Sequence, residues 1–366
     1  MKFDKYISFI LIAVVIFLIF ITIFNRYIDP YSFYKTPFID TIEVNNRFFS
    51  SHVRMSKAQA VRKLKPDSIV LGNSRAEYGI NPKHPGWKSR NVYNLALSSA
   101  NLYELFRYLQ HAQNINPLHE VVLMVDFVMF NASNNKNEID FSEDRLSVNS
   151  GGEVQNKLWT DLIPTLASLD ATIDSIKSIA LQDKKGYSIY LSNGFRESTH
   201  NSYNIKKNGG HHKEFLTNER KYLNKNYNSF KFKDGDMDNW DIFNKLLKFS
   251  RINNIKLYIA ISPIHARQLQ VIKEKGLWDM FEQWKRKLIL YNKNVANFYN
   301  KPSYDIWDFS GFSDYTKEDV SSIKVTSNMH WYWESSHYKK ELGDIMLSKI
   351  LDCCNSGKNL SNEFGL

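Results

Sequence analysis

Cysteine is almost absent from this chain of 366 residues: there are two, Cys353 and Cys354, side by side near the C-terminal end. Adjacent cysteines rarely satisfy disulfide geometry, so a disulfide-stapled fold is excluded. Internal repeats are absent as well, which argues against a solenoid. Long apolar runs are equally scarce, and only one reaches membrane-spanning length. Tyr6 to Phe24 is 19 residues without a charge, rich in Ile, Phe, Leu and Val. At about 1.5 Å per residue, a helix of that length is close to the roughly 30 Å core of a bilayer. Lys2 and Lys5 precede it, which by the positive-inside rule puts the N-terminus in the cytoplasm. A cleaved signal peptide would carry a shorter apolar region, about 7–15 residues, ended by a small-residue site. Here the run ends in FNRYIDPYSF. The expectation is a cytoplasmic stub and single-pass signal anchor over residues 1–30. The rest of the chain then lies on the far side of a bacterial inner membrane, in the periplasm.

What is present in excess is positive charge. Lys and Arg number 48 against 38 Asp and Glu, a net charge of +10. Such a surface attracts anionic headgroups or acidic glycans, and is equally consistent with a solvated basic surface that has no particular partner. A nucleic-acid partner is not expected, because the anchor places the domain outside the cytoplasm.

Residues 31–66 read as a connecting arm with a polar helical stretch, Ser56 to Leu64. From residue 67 onward, apolar strand-like runs alternate with helical periodicity. Ser68–Leu71, Asn91–Leu97, Glu120–Val125, Ile255–Ile261 and Tyr304–Phe309 read as strands. Leu102–Gln113, Asp241–Asn253, Leu277–Tyr299 and His337–Leu351 read as helices. That alternation predicts an α/β fold with a mostly parallel sheet covered on both faces. Residues 132–238 break the rhythm. They are rich in Asn, Lys, Ser and Asp and read as an insertion, serving as a lid, a substrate-binding flap or mobile surface. The pair His211-His212 within it reads as a solvated loop.

Chemistry centres on DSIVLGNSRAEYGINP, Asp67 to Pro82. An apolar strand stops at Gly72 and Ser74 follows at once, at the strand end where α/β sheets carry their sites. A serine needs a base to take its proton, and the base needs a third group to orient it. Glu334 and His337, three residues apart in WESSHYKK, supply a candidate orienter and base. Plainer readings stand beside these. Ser74 could cap a helix that starts near Arg75, Glu334 could be a surface acid, and Arg75 could form a structural ion pair or bind an acidic group. His265, in SPIHA, is a second candidate base. His330, Glu334 and His337 would share one helix face as metal ligands only if the helix were continuous through WYW and SS.

With these motifs the chain resembles the SGNH (GDSL-type) hydrolase superfamily, in its membrane-anchored cell-envelope branch. GNS at Gly72–Ser74 matches the first block with Asn73 in place of Asp, and ESSH at Glu334–His337 matches the last block with Glu in place of Asp. The resemblance places Ser98 or Ser99 where a family glycine donates a backbone N–H to the oxyanion, with Ser99 taken as the donor. It places Asp126, with Asn131 further on, near a family asparagine. An ionised aspartate would repel an oxyanion there. The resemblance covers about residues 68–131 and 255–351. It implies a three-layer α/β/α sandwich (SGNH or flavodoxin-like) over 67–366, with Ser74, His337 and Glu334 catalytic. Ser99, Asp126, Asn73, Arg75 and His265 would sit around the oxyanion and substrate. It further implies acyl-ester removal or transfer on an envelope polysaccharide without metal or cofactor, with an integral-membrane acyltransferase as a candidate partner. The alternative is a non-catalytic polysaccharide assembly or binding protein with a degenerate site.

Overall fold

A computed structural model describes residues 2–33, 52–134, 137–155, 163–180, 190–235, 237–320 and 328–351. The two cysteines and half of the expected arm (34–51) lie outside them. Five strands form one sheet: Ser68–Leu71 (β1), Val92–Asn94 (β2), Glu120–Val125 (β3), Lys256–Ile261 (β4) and Ile306–Asp308 (β5). Their order is β2-β1-β3-β4-β5 and every neighbouring pair is parallel. Ile69 pairs with Val121 and Tyr93, and Leu123 pairs with Ile259.

Strands buried on both faces explain the unbroken apolar runs that made them visible in the sequence. Ile69, Leu71, Val121, Leu123, Val125, Leu257 and Ile259 pack into one core. The alternate residues Val70, Val122, Met124, Tyr258 and Ala260 pack into another on the opposite face. The first core receives helices Val53–Leu64 (α2), Leu102–Ile115 (α4), Asn239–Ile252 (α8), Ala266–Glu274 (α9) and Trp278–Phe298 (α10). The second receives the short helix Ser74–Gly79 (α3) and the last helix, Lys340–Ile350 (α11).

The N-terminal helix, Lys2–Ile28 (α1), is apolar from Lys5 to Ile28 and almost wholly exposed on the protein. The insertion contributes Leu169–Ala180 (α5), Thr199–Asn208 (α6) and His211–Lys221 (α7).

Three details differ from the sequence reading. Within the span read as an arm, α2 is a core helix: Val53, Ala58 and Val61 are buried and join the first core. Its inner face also carries Arg54 and Lys57, whose charges hide its periodicity. His211 is not a loop residue but begins α7, buried, with Nδ1 3.0 Å from the Trp333 carbonyl. Gly209 and Gly210, at φ of 102° and 91°, make the sharp break that separates α6 from α7. Finally, α11 starts at Lys340, so His337 precedes it. Tyr332 and Tyr338 form an antiparallel bridge, and Trp333 N–H donates to the His337 carbonyl at 2.9 Å. Residues 332–338 are thus a closed loop that presents His337.

Candidate active site

The strand order reverses between β1 and β3, and the crevice beyond strand ends at such a point is where open α/β sheets bind ligands. Gly72, at the end of β1, has little room for a side chain. A Cβ there would lie 2.7 Å from that of Ala76 and 3.0 Å from that of Met124. The close approach lets the chain turn directly into α3. Asn73 caps that helix: its Oδ1 accepts the Arg75 N–H at 2.9 Å, and its carbonyl accepts from Ala76 and Glu77. Ser74 is therefore the first helical residue and not the cap, so its hydroxyl is not committed to the backbone.

That hydroxyl meets the expected base. Ser74 Oγ lies 2.7 Å from His337 Nε2. The other ring nitrogen, Nδ1, bonds Glu334 Oε1. The same oxygen accepts the His337 backbone N–H and the Ser336 hydroxyl, each at 2.9 Å. Oε2 accepts the Ser336 N–H at 2.9 Å and an amide proton from Asn218. Burial by itself would raise the Glu334 carboxyl. The adjacent His337 and the hydrogen bonds from His337 and Ser336 outweigh it and hold the carboxyl below its ordinary value. An ionised Glu334 accepts from Nδ1–H, which fixes the tautomer with Nε2 free to take the Ser74 proton. The edge of Tyr78 packs against the imidazole at 5.7 Å between centroids.

The other expected residues divide into two groups. Ser99 lines the same cleft as Ser74 and His337. It occupies the left-handed region at φ 59°, in a turn closed by Ala100 N–H to the Leu97 carbonyl at 3.0 Å. A glycine adopts that φ freely and a serine seldom does. Asn73 also lines the cleft, with its amide nitrogen directed to Asp126 Oδ2 at 2.6 Å. Asp126 and Arg75 are placed beneath the turn and do not line this cleft. Asp126 pairs with Arg75 Nη1, and Arg75 Nη2 donates to the Tyr222 hydroxyl at 2.9 Å. Burial opposes the Arg75 charge, but the Asp126 carboxylate more than offsets it and raises the guanidinium above its ordinary value. Both carboxylate oxygens of Asp126 thus have partners, and the pair braces the Ser74 turn against β3. His265 is likewise occupied: Nδ1 accepts the Arg267 N–H at 3.2 Å as the cap of α9, and Nε2 faces the Glu318 carbonyl at 2.7 Å. Neither ring nitrogen is directed to Ser74. Among the described residues, no group of three His, Cys, Asp or Glu side chains could hold a metal ion.

The insertion supplies residues that sequence reasoning missed. Asn218, on α7, donates to Glu334 Oε2 and lies 2.9 Å from Ser336 Oγ and 3.1 Å from Ser335 Oγ. Tyr190 and Arg196 reach Glu77, on α3, from the same insertion. Glu77 is fully buried with Lys57 Nζ at 3.2 Å and Ser98 Oγ at 2.5 Å. Burial outweighs the attraction of Glu77 and pushes Lys57 down to about 8. A cleft of about 530 Å³ opens over Ser74, lined by Ser99, Asn101, Asn131, Asn218, Lys221 and Lys225 among others. A second, of about 270 Å³, meets it at His337 and is lined by Tyr78, Ile205, Trp333 and the asparagines 201, 204 and 208.

No family model matches the sequence, and no curated protein matches it.

Proposed function

We propose that this chain is a membrane-anchored periplasmic serine esterase or O-acyltransferase of SGNH type, built as a three-layer α/β/α sandwich and acting on acyl esters of an envelope polysaccharide. The observation that carries the reading is the contact of 2.7 Å between Ser74 Oγ and His337 Nε2, with Glu334 on the far ring nitrogen. A serine, an imidazole and an ionised carboxylate in that order are the parts of a nucleophilic acyl-transfer site.

His337 takes the Ser74 proton as Oγ attacks the ester carbonyl. The ester C–O bond then breaks, and His337 returns the proton to the leaving alcohol. Water or a sugar hydroxyl next attacks the acyl-serine, giving its proton to His337, which passes it back to Ser74 Oγ. The backbone N–H of Ser74, in the first turn of α3 where no intrahelical acceptor exists, is one oxyanion donor. The backbone N–H of Ser99 is the second. Amide and lysine side chains along the larger cleft suit a hydroxyl-rich or acidic glycan. The smaller cleft on the other side of His337 gives a second reactant its own approach. An integral-membrane acyltransferase would supply the acyl group if transfer, not hydrolysis, is the reaction.

The test is release of p-nitrophenol from its acetate ester by the full chain, with and without added oligosaccharide. Turnover that disappears in Ser74→Ala supports the reading, and turnover unchanged in Ser74→Ala rejects it. Acetylation of the oligosaccharide identifies a transferase.

A further inference from the structure

The end of α1 is docked to the insertion by a built joint. Asn25 is fully buried. Its Nδ2 donates to the Leu166 carbonyl at 2.7 Å and to Thr172 Oγ1 at 2.9 Å, and its Oδ1 accepts from Ser175 Oγ at 2.9 Å. Ile21 and Ile28, one turn to either side, are buried as well. Tyr31 donates to Asp174 at 3.1 Å, and its carbonyl accepts from Ser56 on α2 at 2.9 Å, which links the joint to the main core. Helix α5 turns its small residues, Ala171, Ser175 and Ser178, inward at this joint.

The outward face of α5 is unusual for a surface helix beside a polar insertion. Leu169, Ile173 and Ile176 are 67%, 47% and 55% exposed. Spacings of four and three residues put them on one stripe of the helix, with Asp170 and Lys177 on its flank, about 70° or more from the stripe's centre. Helix α5 itself adjoins the C-terminal part of α1, where Asn25 meets Thr172 and Ser175. Counting about 20 residues for a 30 Å core from Lys5 brings the helix to the outer boundary close to Asn25. Amphipathic helices at that depth bury their apolar face roughly 5–10 Å into the headgroup boundary.

We propose that α5 is a membrane-interface helix, with Leu169, Ile173 and Ile176 seated in the lipid of the leaflet that α1 exits. The occupant is lipid because α5 is hydrogen-bonded, through Thr172 and Ser175, to Asn25 near the end of the exposed apolar helix α1. The domain is then held to the bilayer at two points, which fixes its tilt and the direction in which the clefts at His337 face. The inference rests on α1 being a membrane anchor.

Spin labels on the full chain test it, reconstituted in phosphatidylcholine–phosphatidylglycerol vesicles with both native cysteines changed to serine. Single cysteines replace Ile173, Ile176, Asp170 and Lys177, and Val15 serves as the reference inside α1. Labels at 173 and 176 should collide more with oxygen than with a nickel chelate, and those at 170 and 177 the reverse. If Val15 reports lipid while 173 and 176 report water, the proposal is overturned and the anchor stands. If Val15 also reports water, the anchor reading fails and the proposal with it. Dipolar broadening between copies at Ile173 would assign the stripe to a second copy of the chain and equally overturn the proposal.

Discussion

At the scale of single residues, the site depends on Glu334 more than its place in a surface loop suggests. It accepts from His337 at two atoms and from Ser336 at two. Glu334→Gln keeps the shape but offers an amide to Nδ1, favouring the wrong tautomer, and kcat should fall by roughly 1,000–10,000-fold. The pH dependence follows from the sign of the shift. Glu334 is held below its ordinary value. Its contribution to stability is therefore complete above the unfolded carboxyl range, about pH 4.3, and is lost as pH falls through the lower folded value. Denaturation of wild type and Glu334→Gln, compared from pH 7 downward, should show a gap that closes only in acid. A gap independent of pH would contradict an ionised Glu334.

Ser74, Glu334 and His337 were legible in the sequence because a strand, a glycine and a short carboxylate–histidine spacing are local signals. Asn218 was not. Its partner Glu334 is 116 residues away, and a lone asparagine on a polar helix carries no mark of what it touches. Asp126 sat at a strand end and looked like a cleft residue. Its partners Asn73 and Arg75, 53 and 51 residues before it, turn it inward.

At the scale of elements, α3 is a short helix held by buried charges. Glu77 takes Lys57 from α2, Ser98 from the turn that precedes α4, and Tyr190 and Arg196 from the insertion. The same α2 supports the Ser99 turn: Arg54 pairs with Glu104 at 2.6 Å and donates to the Ser98 carbonyl at 3.0 Å. Glu77→Ala leaves Lys57 and Arg196 buried without their carboxylate and should cost about 3–5 kcal/mol, read as a lowered denaturation midpoint. A loss under about 1 kcal/mol would show that the network does not hold α3. The five strands were legible as buried apolar runs, and their ends shifted by only a few residues. The second strand closes early at Asn94, whose side chain turns back to the Ala76 and Ile80 carbonyls at 2.9 Å each. Helix α2 was misread because its buried positions include Arg54 and Lys57, which pass for solvent-facing residues until Glu104 and Glu77 are brought against them.

At the scale of the whole molecule, the described residues hold one exposed apolar helix and one parallel five-stranded sheet. The insertion joins them, because α5 meets α1 while α7 meets Glu334. That long-range role could not be read from its Asn- and Lys-rich composition. If α1 anchors the chain with the domain outside the cytoplasm, the protein should remain with membranes after an alkaline carbonate wash. Protease added to intact spheroplasts should then digest the domain. Complete protection of the domain in intact spheroplasts would reverse the proposed topology.

The most direct test of the central claim is labelling of the full chain with a fluorophosphonate probe, followed by mass mapping of the modified peptide. An activated Ser74 predicts a single adduct on the peptide that contains it, lost in Ser74→Ala and strongly reduced in His337→Ala. An adduct that forms elsewhere, or labelling that persists undiminished in Ser74→Ala, would contradict the assignment of Ser74 as the nucleophile.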